Sequence, residues 1–505
     1  MDKFWKQFKS GTDIRGVAVE GVEGEPLNLT DDTVASMAAA FLLWLSQKTG
    51  KAPFDLTVAV GHDSRISAER IRSAVVDSIV KCGARVLDCG LASTPSMFMI
   101  LQDMDCDGSI QITASHHPYH RNGLKFFIPS GGLDGCDIEA ILGFCDEGRF
   151  PELHEGGSAE KINYMNQYSE GLRKIICEGV KSEDYEHPLK GFHIVVDAGN
   201  GAGGFYAHDV LEPLGADVSG SVYLEPDGMF PNHVPNPENE QAMDSIRRAT
   251  LDSGADLGVI FDTDVDRGGV VDNFGAEINR NRLVALAAAI ALENCSGGTV
   301  VTDSTTSAGL KKFIENTLGG VHYRYRRGYR NVITRAQELN EQGVNCPLAI
   351  ETSGHAALKE NYFLDDGAYL VTKIIIKMAQ LRTQGRTLAE LTADLEEPCE
   401  EKELRFKIKT EDFREYGEKV LAELEKYAQG QSDWIIADDN REGLRVSFEK
   451  EQGWFLLRLS VHDPIMPLNL ESMKNGGCKE IAAKLYEFLK NCGELDLSAI
   501  ESFIK

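Results

Sequence analysis

LTVAVGHDSRISAERIRSAVVDSIVKCGARVLDC, residues 56–89, is the stretch on which the fold turns. Residues 56–61 form an apolar, β-branched run of strand length, and His62-Asp63-Ser64-Arg65 follows as a polar loop. Residues 68–82 space their apolar side chains as an amphipathic helix, and residues 84–89 return to strand texture. Strand, polar loop, helix and strand within about 35 residues make a βαβ unit. The same order recurs at residues 192–223, with the loop Asp197-Ala-Gly-Asn-Gly-Ala-Gly-Gly204 and a strand expected at 218–223. It recurs again at 299–325, with the loop Asp303-Ser-Thr-Thr-Ser307. Three copies of one supersecondary unit predict three related α/β domains in series.

Open α/β sheets keep their chemistry at the carboxyl ends of their strands, so the strand-end loops are where function is sought. Residues 110–113 close an apolar strand and lead into Ser115-His116-His117-Pro118. Pro118 bars a regular helix there, and Asn122-Gly123 predicts a tight turn returning Lys125 towards the serine. The loop is either a polar turn with a capping serine or a nucleophile beside two imidazoles and an ammonium. Asp262-Thr-Asp264-Val-Asp266-Arg267 follows the apolar strand 257–261. Three like charges at alternate positions repel unless a cation sits among them, and hard oxygen ligands suit Mg²⁺ or Ca²⁺; the other reading is a solvated acidic turn. An EF-hand is excluded, because its sixth position needs Gly and its twelfth Glu, and here these are Arg267 and Asn273.

The remaining motifs are less specific. Gly199-Asn-Gly201-Ala-Gly-Gly204 satisfies a dinucleotide pattern, but close packing of helix on sheet explains it more simply. Residues 226–237 read as a long ordered turn. Glu351-Thr-Ser353-Gly-His355 offers groups that bracket hydroxyls or move protons, and Asp365-Asp366 reads as a helix cap. Arg324, Arg326, Arg327 and Arg330 around Gly328 are either an anion contact or a solvated face. Arg15 lies in a glycine-bounded loop, Gly11 to Gly16, where an exposed turn arginine is the simpler explanation. A serine hydrolase would want G-x-S-x-G around Ser115, which is missing; phosphoryl transfer fits the set better.

Composition narrows the class. The chain has 505 residues, enough for three or four domains, with 52 Lys plus Arg against 79 Asp plus Glu, a net charge of -27. Such a chain is not expected to bind nucleic acid or an anionic membrane, and any anionic substrate must be held by local cations. Eleven cysteines without a Cys-x-x-Cys pair argue against a disulfide framework or zinc knuckle and for a reducing, cytoplasmic setting. The N-terminal MDKFWKQFKS has no apolar core with a small-residue cleavage site, and no run long enough to span a bilayer occurs, so no targeting or spanning segment is expected.

Taken together these motifs resemble those of the α-D-phosphohexomutases, the phosphomannomutase/phosphoglucomutase family, over nearly the whole chain. Thr-Ala-Ser115-His116-His117-Pro with Asn122-Gly-x-Lys125 is similar to the family's phosphoserine loop, with His117 in place of the usual Asn. The acidic loop is similar to D-G-D-G-D-R with both glycines replaced, residues 351–355 to G-E-x-S-G-H, and Asp13-Ile-Arg15-Gly16 to D-I-R-G. The resemblance implies four domains around one cleft: 1–158 with the phosphoserine loop, 159–279 with the metal site, 280–397 with the sugar site, and a smaller α+β domain, 398–505, contacting phosphate. It implies a hexose 1-phosphate/6-phosphate mutase, acting on mannose and/or glucose phosphates, with a phosphorylated Ser115 and a hexose 1,6-bisphosphate intermediate. Ser115, Asp262, Asp264 and Asp266 would hold Mg²⁺; Arg15, His116, Lys125 and Arg267 would steady charge or move protons; Glu351, Ser353 and His355 would hold the sugar, and Arg327 would meet an anion.

The family's phosphate clamp, R-x-S-N/G-T-x-P followed by an Arg, is matched only in part. Arg458 and Ser460 are kept, Val461 and His462 replace the next two residues, and Asn469 stands at the later Arg. A weaker or reshaped distal phosphate site using His462 is therefore expected. Phosphoglucosamine mutase and a catalytically silent sugar-phosphate sensor are the alternatives, and a monomer or homodimer is expected.

Overall fold

The computed structural model describes residues 1–460 and 463–505. The chain packs as two compact units, residues 1–290 with 353–391, and residues 291–352 with 392–505. This grouping differs from the expected serial division, since residues 280–290 and 353–391 pack with the first unit.

The first unit opens with β1 (Lys9–Ser10), β2 (Asp13–Val17), β3 (Thr57–His62), β4 (Arg85–Leu91), β5 (Gly108–Ile112), β6 (Arg121–Ile128), β7 (Gly131–Gly132) and β8 (Ser158–Lys161). They form one mixed sheet in the order β1-β2-β6-β5-β3-β4-β8, with β7 paired to β6. The quoted stretch folds as read: β3 and β4 are parallel neighbours joined by the helix Ala68–Lys81, whose Ile71, Val75 and Ile79 are fully buried. The helix Asp31–Thr49 packs there too, capped by the Thr30 side chain and stopped by Gly50 at φ 74°, a left-handed residue that glycine takes without a Cβ clash. Because β8 pairs with β4 through Lys161, the first sheet continues past the joint expected at 158/159.

Two local expectations in this sheet are corrected. Asn122-Gly123 is no turn but lies inside β6, and Lys125 is placed by the antiparallel register with β5, opposite Gln111. A Cβ on Gly123 would come within 2.2 Å of the Ile14 carbonyl and 2.8 Å of the Thr113 carbonyl, so glycine is required by close approach of strands rather than by a bend. Likewise Arg15 is in β2, opposite Gly123, and not in a loop.

A second sheet follows, β12-β11-β10-β9, made of β9 (Ile194–Asp197), β10 (Leu257–Phe261), β11 (Gly268–Asp272) and β12 (Glu277–Ile278). The strand expected at 218–223 is reduced to two isolated bridges, Asp217 with His193 and Val222 with Asp197. The helix expected before it is one π-type turn, Tyr206–Leu211, ending in the short 3-10 turn Glu212–Leu214 that carries a proline. The glycine-rich turn packs backbone on backbone: a Cβ on Gly201 would meet the Thr263 carbonyl at 2.6 Å and one on Gly204 the Leu224 carbonyl at 2.2 Å. Close packing explains it. The long turn 226–237 is pinned by His233, whose Nε2 lies 3.0 Å from both oxygens of Asp197.

In the second unit β13 (Thr299–Asp303), β14 (Val321–Tyr325) and β15 (Leu348–Ile350) run parallel with β13 in the middle, the third copy of the motif. The strand β16 (Ala356–Leu358) lies in the segment that packs with the first unit. The C-terminal region is an antiparallel sheet, β17-β21-β20-β19-β18, built from β17 (Glu400–Lys407), β18 (Ile435–Ile436), β19 (Leu444–Phe448), β20 (Gly453–Leu457) and β21 (Ile465–Ser472). The helices Phe413–Gln429 and Gly477–Leu489 bury Val420, Leu424, Ile481 and Leu485 in its core. Sequence reading missed β21, which pairs with both β17 and β20, because Pro467 and Asn469 interrupt its apolar run. The fold is therefore three α/β domains with mixed sheets and a smaller α+β domain. No helix among the described residues is long and apolar enough to cross a membrane.

Candidate active site

Ser115 stands three residues beyond the end of β5, 4 % exposed, with φ 51°. A non-glycine residue in the left-handed region carries backbone strain, and such strain gathers at functional sites. Its Oγ donates towards Asp262 Oδ2 at 3.5 Å, accepts from Arg267 Nη2 at 3.2 Å and lies 3.2 Å from His116 Nδ1. Arg267 Nη2 also donates to His116 Nδ1 at 2.8 Å, which makes that nitrogen an acceptor. Burial, then the Arg267 guanidinium, holds the His116 pKa down at about 2, so this imidazole is neutral. His117 is held near 3 by burial and then Arg15.

The acidic loop leaves β10 directly. Arg267 returns on it through Nε and Nη2 to Asp262 Oδ2, at 3.1 and 2.9 Å, while its backbone N–H donates to Asp262 Oδ1 at 3.2 Å. Val265 in the middle has φ 68°, a costly conformation for a β-branched residue. Lys125 Nζ donates to Asp264 Oδ2 at 3.0 Å and to Asp266 Oδ2. The ligand oxygens of Asp262, Asp264 and Asp266 lie within 4.8 Å of one another, and all three residues are buried. Burial, then Asp266, raises the Asp262 pKa well above the carboxylate range. Burial alone would raise Asp266 too, but Lys125, His355 and Arg267 outweigh it and hold it far below. Asp264 Oδ1 and Asp266 Oδ1 are buried without a hydrogen-bond partner. Three buried carboxyl groups crowded on one loop push the Asp262 pKa up, and the unpartnered oxygens of Asp264 and Asp266 are hard ligands, so the residues fit a divalent cation.

His355 joins the same cluster. Its Nδ1 is 2.6 Å from Asp365 Oδ2, and its backbone bridges to Arg267. Burial would lower its pKa, but Asp365 and Asp266 raise it to about 9. Only Asp366 caps the helix Gly367–Arg382, accepting from the Tyr369 N–H at 2.8 Å; Asp365, expected to share that capping, is instead the partner of His355. Arg15 donates Nη2 to Asp13 at 3.0 Å, while its buried Nε has no hydrogen-bond partner. Ser353 is 7 % exposed. Thus Ser115, His116, Lys125, Asp262, Asp264, Asp266, Arg267 and His355 come together in the first unit.

The second unit holds the other expected groups. Glu351, 3 % exposed, accepts the Gly328 N–H at 2.6 Å, and Glu442 accepts the Arg327 N–H at 3.1 Å and the Ser304 hydroxyl. Asp303, fully buried, accepts from Thr305 and from both the N–H and the hydroxyl of Thr352, at 2.7 and 2.9 Å. Of the arginine cluster, Arg324 is structural: it is buried, donates to Asp439 at 2.8 Å and braces the Ser307 carbonyl. Arg458 is half-buried, its Nε lacks a partner, and among the described residues no ion pair or hydrogen bond holds its guanidinium. Burial accordingly lowers its pKa. Ser460 accepts the Asp463 N–H at 3.3 Å, and Asn469, on β21, donates to Glu403 at 3.2 Å. His462 lies outside the described residues. Sequence reading missed Asp63, Arg65, Asp303, Asp365 and Glu442. The first three sit in strand-end loops of the repeated unit, a signal that was present; Glu442 carried none.

Fold and site define the class: an α/β enzyme that gathers a buried serine and an acidic loop at its strand ends. Three consecutive domain models of phosphoglucomutase/phosphomannomutase, its alpha/beta/alpha domains I, II and III, match residues 7–147, 166–275 and 279–399. The chain belongs to the phosphoglucomutase/phosphomannomutase family, the α-D-phosphohexomutases. It is 28% identical over 491 residues to a phosphomannomutase/phosphoglucomutase of Pseudomonas syringae, covering 96% of each chain. It is 29% identical over 465 residues to one of Pseudomonas aeruginosa, covering 91% of each. A solved phosphoglucomutase/phosphomannomutase family protein from Burkholderia thailandensis superposes with a TM-score of 0.78 at 25% identity, covering 98% of both chains.

Proposed function

We propose that this chain is a phosphohexomutase interconverting hexose 1-phosphate and hexose 6-phosphate, with mannose and/or glucose phosphates as substrates. The observation that carries the reading is Ser115 Oγ, strained into place 3.2 Å from Arg267 Nη2 and 3.5 Å from a buried carboxylate triad. In the reaction the P–Oγ bond of phosphorylated Ser115 breaks as a P–O bond forms to a sugar hydroxyl, whose proton ends on the freed Ser115 Oγ. The resulting hexose 1,6-bisphosphate turns, the P–O bond of its other phosphoryl group breaks as that group passes to Ser115 Oγ, and the serine proton ends on the freed sugar oxygen. Asp262, Asp264 and Asp266, with the Ser115 phosphate, would hold Mg²⁺, which neutralises the charge on the moving phosphoryl group. Arg267 and Lys125 steady the same charge from the protein side. His116 Nδ1, which accepts from Arg267 Nη2 and lies 3.2 Å from Ser115 Oγ, orients Arg267 beside the reacting oxygen.

Glu351, Ser353 and His355 hold the sugar hydroxyls, and Arg458, with Arg327, Ser460 and His462, receives the phosphate that is not transferred. A half-buried guanidinium that makes no ion pair and whose Nε has no hydrogen-bond partner is ready to receive an anion, which supports Arg458 in that role. The test is conversion of mannose 1-phosphate or glucose 1-phosphate to the 6-phosphate with Mg²⁺ and a trace of hexose 1,6-bisphosphate. Turnover, with an intact-mass increase at Ser115 consumed by added hexose phosphate, is the expected result. No turnover of either sugar and no adduct would overturn the reading.

A further inference from the structure

Arg65 has no part in the reaction steps above, yet it is 2 % exposed and every N–H of its guanidinium is used. Nε donates to Asp63 Oδ2 at 3.2 Å. Nη1 donates to the carbonyls of Pro118 and Arg121, at 2.8 and 2.9 Å. Nη2 donates to the carbonyl of His117 at 2.7 Å and to that of Ser115. Four of the five bonds therefore end on backbone oxygens, three in the loop that carries the serine and one on the first residue of β6, where that loop ends. Asp63 closes the circuit from the other side: its Oδ2 accepts the Thr113 hydroxyl at 2.7 Å, and the Thr113 oxygen accepts the Ser115 N–H at 3.0 Å. The N–H and the C=O of Ser115 are thus both tied to a single buried ion pair. The Phe230 ring, 5.3 Å from the guanidinium carbon, lies over it.

A buried ion pair is a poor source of net stability, because desolvation offsets most of its attraction. What this one supplies is geometry. A left-handed residue persists only where its surroundings over-determine it, and a planar fork of five fixed donors meets that need as a single ammonium would not. We infer that Arg65 is the positioning residue of the phosphoryl-carrying serine. It holds Ser115 in its strained conformation so that Oγ stays within reach of Arg267 and Asp262; this rests on the reading of Ser115 as the phosphoryl carrier. It touches neither sugar nor phosphate, so its loss acts on transfer to and from Oγ and spares the binding of hexose phosphate.

The test uses the full-length protein with Arg65→Lys and, separately, Thr113→Val, which removes the hydroxyl that joins Asp63 to the Ser115 N–H, and with it both of its bonds in the circuit. Two quantities are measured: steady-state kcat and KM, and the rate at which hexose 1,6-bisphosphate loads phosphate onto Ser115, followed by intact mass. Misplacing a reacting atom by about 1 Å costs on the order of 10²-fold, so Arg65→Lys should lower kcat and the loading rate by about that factor with KM little changed. Thr113→Val should lower both by about tenfold. A folded Arg65→Lys protein that loads and turns over at the wild-type rate, or whose defect lies in KM alone, would overturn the inference. Should Arg65→Lys fail to fold, wild-type loading by Thr113→Val would overturn it by itself. A wild-type protein that neither loads nor turns over sinks the mutase reading first, and this inference with it.

Discussion

At the scale of single residues, Ser115 carries the strongest expectation. Ser115→Ala removes the only oxygen that Arg267 Nη2, His116 and Asp262 share, so mutase activity should fall by on the order of 10³-fold or more and the phosphoryl adduct should vanish. Intact mass after incubation with hexose 1,6-bisphosphate checks this directly; an adduct that persists in the variant would place the carrier elsewhere. His355 makes a second expectation, in stability against pH. Folded, its pKa is about 9, because Asp365 and Asp266 outweigh the effect of burial; unfolded, it is about 6.5. A group whose folded pKa is raised stabilises fully below its unfolded pKa and loses that contribution as pH rises through its folded one. Wild-type stability should therefore drop by up to about 3 kcal/mol between about pH 6.5 and just above 9, and His355→Gln should remove that slope. Urea midpoints across this range decide the matter, and parallel curves for the two proteins would count against it. His117, where the family usually has Asn, gives Arg65 one of its four backbone carbonyls, as Asn would also do; nothing in the structure explains the imidazole.

At the scale of elements, the junction of β2, β6 and β5 decides how the site is assembled. Gly123 sits between the Ile14 and Thr113 carbonyls, so Gly123→Ala forces the strands apart with no flexible side chain to yield. A loss of about 1–3 kcal/mol is expected, with a fall in activity, because Arg15 and Lys125 ride on the two strands that must separate. Thermal unfolding followed by an activity assay of the folded fraction tests both halves. A variant of wild-type stability would show that the strands adjust. The elements also show where local reading succeeds and fails. Residues 257–261 and 321–325 are apolar or alternating runs of ordinary strand length, and they fold as read. Asn122-Gly123 carries a strong local turn signal, yet it lies mid-strand, because the demand on that glycine comes from β2 and β5, more than fifty residues of chain for one of them. Residues 465–472 hide a strand behind a proline and an asparagine that its neighbours β17 and β20 accommodate.

At the scale of the whole molecule, charge sets the terms. A chain of net charge -27 that gathers three buried carboxylates at one loop should gain from a divalent cation in two ways, by general screening and by occupancy of that loop. Mg²⁺ at about a hundredfold excess over its Kd should stabilise the wild-type protein by about 3 kcal/mol beyond the effect of NaCl at equal ionic strength. Asp264→Asn should keep the NaCl effect and lose the Mg²⁺ increment. Melting curves with MgCl₂, NaCl and EDTA separate the two contributions, and an equal Mg²⁺ response in both proteins would remove the cation from that loop.

The sequence by itself determined the βαβ units at 56–89 and 299–325, the polar loops at the strand ends and the residues in the metal and serine loops, because hydrophobic period and loop chemistry are written within a dozen neighbouring residues. Only the tertiary structure decided that Lys125 would lie against Asp264 and Asp266, 139 and 141 residues away, that Asp365 would serve His355 rather than a helix end, and that Arg65 would close over the Ser115 loop. Those pairings depend on which strands become neighbours and in what register, and a buried charge takes its role from whatever partner that packing leaves beside it.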